Sequence, residues 1–389
     1  MIKEIIVPIA YFLFFILLIG NTRYFKSTSI SKNSLFLAFS LKVFCAVLYG
    51  YLFSNGFLTG EDTFLYFQNG NVVYNALNLE PLTYLELSLG PNDFKPIPQH
   101  LLGYTDNMHF WFDSSNYFLV RINALIRPFS FGIYNVHAII FAFISFVGIY
   151  NLYLFFETRM YNKINLQFIL FGVPSIVFWS SGVHKEAITF FGLGLILYNL
   201  DNLFLKRSLW CSILMLVIGL VFLGYVRFYL LVILLPLIIA LFIIITRKLT
   251  VSSITVFIFV TGLFVLILII TDIISPEINL IDELFIRRNY FLRTIPGNMT
   301  FPVLANVPSS FSEYVTLIVE SIINPIFRPF PSECKSFLPV VACIETWIYL
   351  GVVSYLFFSL KLNALSRNPY AIFSILFGLS TLFLIGLIV

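Results

Sequence analysis

An all-α, polytopic integral membrane fold is predicted by three observations. The chain of 389 residues is 59% hydrophobic and only 11% charged, and its mean hydropathy is +0.95. A soluble domain of this size carries far more polar surface. Apolar runs of the length needed to cross a bilayer, about 20 residues, recur along the chain. The short loops between them alternate in charge.

About ten spans can be drawn, roughly 5–20, 35–54, 132–156, 165–181, 187–204, 209–224, 229–246, 253–275, 338–360 and 370–389. The first has the length of a signal peptide but lacks a small-residue cleavage site, so it reads as an uncleaved span. The last runs to the final residue, so the chain reads as a single membrane domain over 1–389. Five alternate loops are short and basic: Arg23, Lys26 and Lys32; Arg159 and Lys163; Lys206 and Arg207; Arg247 and Lys248; Lys361 and Arg367. Short basic loops belong on the cytoplasmic side. The N-terminus, two long loops (55–131 and 276–337), two tight turns (182–186 and 225–228) and the C-terminus are then expected outside. In a bacterium this is the inner membrane with its large loops on the periplasmic face. The net charge of +4 matters less than this distribution. Four cysteines, at 45, 211, 334 and 343, suggest neither a disulfide framework nor a zinc site.

Lys42 falls within the second span and is expected to snorkel toward the cytoplasmic headgroups. The first long loop begins with Gly56, Gly60 and then Glu61-Asp62. Asp62 can cap a helix over 63–79. Leu65, Val72, Val73, Ala76 and Leu77 repeat there at helical spacing, with Gln68, Asn69, Asn71, Asn75 and Asn78 on the other side. Such a helix is expected in the interface plane. The stretch 80–116, with Pro81, Pro91, Pro96 and Pro98, reads as an ordered polar loop. His100, Asp106, His109 and Asp113 have no ligand spacing and read as loop residues. A second amphipathic helix, 117–128, carries Arg121 and Arg127. His137, alone in the third span, reads as a satisfied core histidine.

Pro174 kinks the fourth span, Trp179-Ser180-Ser181-Gly182 unwinds it, and His184-Lys185-Glu186 restarts the chain. That turn is either a polar hairpin tip or a cationic group, Lys185 or His184, placed to meet a phosphate. Arg227, between Tyr225 and Tyr229, is either an interfacial anchor or a second such cation. The second long loop holds Asp282-Glu283, Arg287, Arg288 and Arg293, then Arg328 between Pro325 and Pro329, then Glu333. Glu345 lies within the ninth span, where a carboxylate usually faces a partner or a cavity. The sequon Asn298-Met299-Thr300 has meaning only in a secretory-pathway eukaryote.

Acids and bases from segments far apart thus gather at the outer face. A carboxylate can take the proton of an acceptor hydroxyl. Arg and Lys can hold a departing phosphate. The layout resembles the GT-C superfamily, the polytopic glycosyltransferases that use polyprenyl-phosphate sugars. Glu61-Asp62 and the helix after it match that family's early outer loop. FWSSGVHKEAITFFGLGL (178–195) and NPIFRPFPSE (324–333) are similar to stretches in bacterial polysaccharide-cluster membrane proteins. The resemblance implies an inverting transfer from a polyprenyl-phosphate-linked donor to a cell-envelope glycan or lipid acceptor. It assigns Asp62 as base with Glu61 as fallback, and Lys185, His184, Arg227 and Arg328 as phosphate ligands. Glu186, Arg287, Arg288, Arg293, Glu333 and Glu345 are supporting groups. No nucleotide site, cofactor, nucleic acid or resident metal is implied, although a divalent cation at Glu61/Asp62 is left open. An O-antigen or exopolysaccharide polymerase shares these features. A transporter or flippase is the reading from another class, with Lys42, His137 and Glu345 as its deep titratable groups.

Overall fold

The computed structural model describes residues 2–26, 28–56, 62–92, 96–159, 163–247, 252–274, 286, 288, 310–334, 337–359 and 368–388. These are helical, with no strand among the described residues. In order the helices are α1 (Ile2–Asn21), α2 (Arg23–Lys26), α3 (Lys32–Ser54), α4 (Asp62–Leu79), α5 (Pro81–Leu89), α6 (Gln99–Thr105), α7 (Ser114–Ser130) and α8 (Tyr134–Glu157). They continue as α9 (Lys163–Phe171), α10 (Pro174–Trp179), α11 (Lys185–Phe204), α12 (Leu209–Arg247), α13 (Ser253–Ile274), α14 (Phe311–Phe327), α15 (Phe337–Ser359) and α16 (Pro369–Ile388). Among the described residues seven helices are long and apolar enough to cross a membrane: α1, α3, α8, α11, α12, α13 and α16.

The expected span over 338–360 forms α15, whose described apolar stretch, Pro339–Tyr355, is shorter than those seven, and the stretch 80–116, expected as a loop, holds the short helices α5 and α6. The span over 165–181 is two short helices, α9 and α10, of 9 and 6 residues. Pro174 starts α10, and it pushes Val173 into an extended conformation (φ −66°, ψ 120°). The expected spans over 209–224 and 229–246 are two helical segments of α12 that meet in a kink at Arg227, whose backbone is non-helical (φ −144°, ψ 62°). The tight turn expected over 225–228 is therefore a break at a single residue. Packing divides the chain beside that break into two compact units, Met1–Phe228 and Tyr229–Val389.

The first unit is built around α8, which is buried along most of its length, from Val136 to Phe155. Phenylalanines of α1 and α3 close over it, with the Phe15 and Phe143 rings stacked at 4.2 Å. Helix α11 lies against it so closely that a Cβ on Gly194 would fall 2.0 Å from the Gly148 carbonyl. Gly192 and Gly219 allow the same approach between α11 and α12, where a Cβ at Gly192 would meet the Gly219 carbonyl at 3.0 Å. Small residues of this kind let apolar helices approach through backbone contact.

In the same unit α4 packs on α7, and its buried residues are Thr63, Tyr66, Asn69, Gly70, Val73 and Ala76. Asn69, expected on the polar side of α4, is on this buried stripe and accepts from the Phe110 amide at 3.3 Å. His137 is fully buried and satisfied at both nitrogens, by Asn123 at 2.8 Å and Ser130 at 2.7 Å. Lys42 does not snorkel. Only 2% of its surface is exposed, and its ammonium donates to Ser180 Oγ at 2.7 Å and to the Ser180 carbonyl at 3.4 Å. The helix break after α10 supplies those acceptors.

In the second unit α14 packs on α16. A Cβ at Gly386 would fall 2.0 Å from the Ser321 carbonyl. Arg288 is buried and donates to the Leu387 carbonyl at 2.7 Å.

Candidate active site

The glycine crossing of α11 and α12 sets the height of the site. Glu186 is six residues above Gly192, about 9 Å of helix, and Arg227 is eight residues beyond Gly219, about 12 Å. The two side chains therefore meet at one end of the helix pair, where the Arg227 guanidinium donates to Glu186 Oε1. The other carboxylate oxygen, Oε2, contacts Nδ1 of His184. Burial, then the charges of Arg227 and Lys185, push the His184 imidazole down to about 3. A neutral imidazole can meet a carboxylate only as a donor, so Nδ1 carries the proton and Nε2 keeps its lone pair. His184, expected among the cations, is thus uncharged near neutral pH. Lys185 and Arg227 supply the positive charge.

Asp62 is the first residue of α4, inside the helix rather than capping it. The residue keeps access to solvent, yet its carboxyl is raised above the usual Asp range. Burial by the surrounding protein is the main cause. Lys185 opposes the rise and Asp113 adds to it. Tyr49 of α3 and Tyr66 of α4 stand within electrostatic range of Asp62, and Tyr66 also faces Asp113 and Arg227. The Tyr66 phenol is raised, chiefly by burial, and stays protonated. It donates to Asn116 Oδ1 at 2.5 Å.

Asp113 holds this wall in place. It caps α7, accepting from the Ser115 and Asn116 amides at 3.0 Å and from the Asn116 side chain at 2.7 Å. Ser115 donates to the Val226 carbonyl at 3.2 Å, beside the break in α12. Tyr49 fixes the turn from the other side. Its ring fills the space a Cβ on Gly182 would need, with Cδ1 at 2.5 Å, and it lies 6.1 Å from the His184 ring.

Of the residues expected from sequence, Asp62, His184, Lys185, Glu186 and Arg227 come together in the first unit. Arg328 and Glu333 pair in the second, at 2.7 Å. There the Glu333 carboxylate also accepts from the Phe330 amide at 2.9 Å. Glu345 accepts from Tyr349 one turn away. Glu61, Arg287 and Arg293 lie outside the described residues. Among the described residues no three His, Cys, Asp or Glu side chains gather as metal ligands. Comparison of the chain with protein-family models, with characterised proteins and with solved structures finds no match.

Sequence reasoning missed four members of the cluster: Tyr49, Tyr66, Asp113 and Asn116. Two had a signal. Tyr66 is one turn from Asp62 on the same helix, and Asp113-Ser114-Ser115 is a helix-start signature ahead of an apolar run. Tyr49 reaches the site only through the packing of α3, which no local pattern encodes.

A separate apolar groove of about 490 Å³ lies in the same unit, between α1, α7, α8 and α12. Ile122, Ile126 and Phe129 of α7 line it, with Ile140 of α8 and Phe222 of α12. Phe222 is five residues from Arg227, about 7.5 Å of helix. The Phe118 ring bridges the gap, 5.4 Å from Phe222 and stacked at 4.9 Å on Tyr225.

Proposed function

We propose that the protein is a membrane glycosyltransferase. It moves a sugar from a polyprenyl-phosphate-linked donor to a cell-envelope glycan or lipid acceptor at the outer face of a bacterial inner membrane. The observation that carries the reading is Asp62, a carboxyl raised in pKa and facing Lys185, beside an Arg227–Glu186–His184 chain at one end of the spans. A base whose pKa is nearer the working pH transfers protons more effectively. Two cations beside it suit an anionic leaving group.

In this mechanism the acceptor hydroxyl attacks the anomeric carbon and its proton passes to Asp62. The bond from that carbon to the donor phosphate breaks, and the electron pair leaves with the phosphate. Arg227 and Lys185 stabilise the departing charge, and the configuration inverts. Glu186 orients both Arg227 and His184. The apolar groove beginning near Phe222 suits the hydrocarbon chain of a donor whose phosphate rests at Arg227.

The test is the envelope glycan of cells carrying Asp62→Asn. A normal amount of protein with one sugar or decoration missing is the expected result. Unchanged glycan sinks the role of Asp62, and accumulation of a single lipid-linked repeat unit reassigns the chain to the polymerases.

A further inference from the structure

A second cavity of about 500 Å³ opens on another face of α4. Gln68, Val72 and Asn75 line it from one side, at the i, i+4, i+7 spacing of a single helix face. Tyr104 of α6, with Asn107 and His109 just beyond it, lines the other. Asn69 borders it from the buried stripe.

The lining has an unusual composition for this chain. It contains four carboxamides, one phenol and the His109 imidazole, and it has no Asp, Glu, Lys or Arg. The amides are mostly not committed to the backbone. Gln68, Asn75 and the Tyr104 hydroxyl make no hydrogen bond to the described residues. Asn107 Nδ2 donates to the Gly103 carbonyl at 2.9 Å, which leaves its Oδ1 to accept.

This chemistry selects a ligand class. Without a Lys or Arg in the wall, an anion finds no permanent cation there. Without a run of apolar side chains, a hydrocarbon gains little. A carboxamide offers donor and acceptor on one head. That matches a ring bearing neighbouring hydroxyls, each of which both donates and accepts. A half-buried tyrosine ring gives an apolar face for the C–H side of such a ring, with its hydroxyl left for a polar contact. A volume of this size accommodates a small ligand.

Gln68 is six residues from Asp62, about 9 Å, and Asn75 thirteen, about 20 Å. The cleft lies on a different face of α4 from Asp62, so a glycan joining the two would have to turn around the helix.

We propose that the cleft between α4 and α6 is a subsite for a neutral oligosaccharide, with Gln68, Asn75, Tyr104 and Asn107 as its ligands. That the bound glycan is the acceptor rests on the transfer reading; that the cleft takes a neutral glycan does not.

The test uses the purified full-length protein in detergent on an array of neutral and acidic bacterial oligosaccharides. Binding confined to neutral glycans is expected. It should weaken about tenfold in Tyr104→Ala, a loss of about 1.4 kcal/mol, and recover in Tyr104→Phe, which keeps the ring. Asn75→Ala, at an exposed position where folding is not at stake, should weaken binding severalfold. Absence of glycan binding, equal binding of acidic glycans, or binding indifferent to both Tyr104→Ala and Asn75→Ala overturns the proposal. Neutral-glycan binding by a protein that transfers no sugar keeps the cleft and removes the transferase. Transfer by a protein whose cleft variants bind and react like the wild type removes the cleft alone.

Discussion

At one end of α11, Asp201 meets Arg159; at the other, Glu186 meets Arg227. Fifteen residues of helix separate the two carboxylates, about 22 Å. The first pair is nearly closed, with 13% and 11% of its side chains exposed, and the second is more than twice as open, at 29% each. Asp201 has Arg159 as its side-chain partner among the described residues. Glu186 is shared between Arg227 and His184, and the ionisable groups Asp62, Lys185 and Tyr66 crowd around it. An Arg–carboxylate pair is therefore no signature of a site. What distinguishes the second end is a surplus of titratable groups whose charges pull against one another in a partly open space.

The strongest way to break that distinction is to remove the base. Asp62→Asn should lower sugar transfer by about 10² to 10⁴ with the protein still folded, as judged by gel filtration in detergent. The cations come next. Arg227→Met should cost about 10²-fold, the scale of losing one stabiliser of developing charge. Arg159→Met should leave transfer per folded molecule near normal but lower the melting temperature clearly. Removing one partner of a nearly closed pair costs about 3 kcal/mol. If the two variants exchanged these effects, the two ends of α11 would have been assigned the wrong way round.

A smaller effect lies in the pH profile. Asp62 acts as a base only when ionised, so transfer should rise as pH climbs through its titration. Lys185 holds that titration down. Lys185→Met should move the acidic limb of the profile to higher pH, beyond any fall in rate. A shift to lower pH contradicts the geometry. The smallest expected effect is at Lys42, whose ammonium has Ser180 as its partner in a fully buried position. A buried charge replaced by an apolar chain of similar length is often neutral or stabilising. Lys42→Met should leave the melting temperature unchanged or raised, and a large fall would show that the contact with Ser180 holds the helix break.

The same comparison shows what could be read from residues alone. Hydropathy marked α1, α3, α8, α11, α13 and α16 because each is a long apolar run with few charges. It also marked the region of Arg227 as an interruption, through the polar residue between two tyrosines. It failed over 165–181, where apolar content is continuous but Pro174 and Gly172 divide the backbone. His184, Lys185 and Glu186 stood out as three titratable groups in a short turn. Their pairing with Arg227 did not, because it depends on the Gly192–Gly219 crossing. Asp113 looked like one more acid in a polar loop, and its meaning came from capping α7. The neutrality of His184 follows from burial beside two cations, which no spacing in the chain announces.

The central claim is that Asp62 takes the proton of an acceptor while a lipid phosphate leaves. Release of polyprenyl phosphate from a radiolabelled polyprenyl-phosphate sugar, followed with purified wild-type and Asp62→Asn proteins and an envelope-glycan acceptor, tests it most directly. Acceptor-dependent release by the wild type, and at least a hundredfold slower release by Asp62→Asn, is the predicted result. Equal release by both proteins, or none by the wild type, would contradict it.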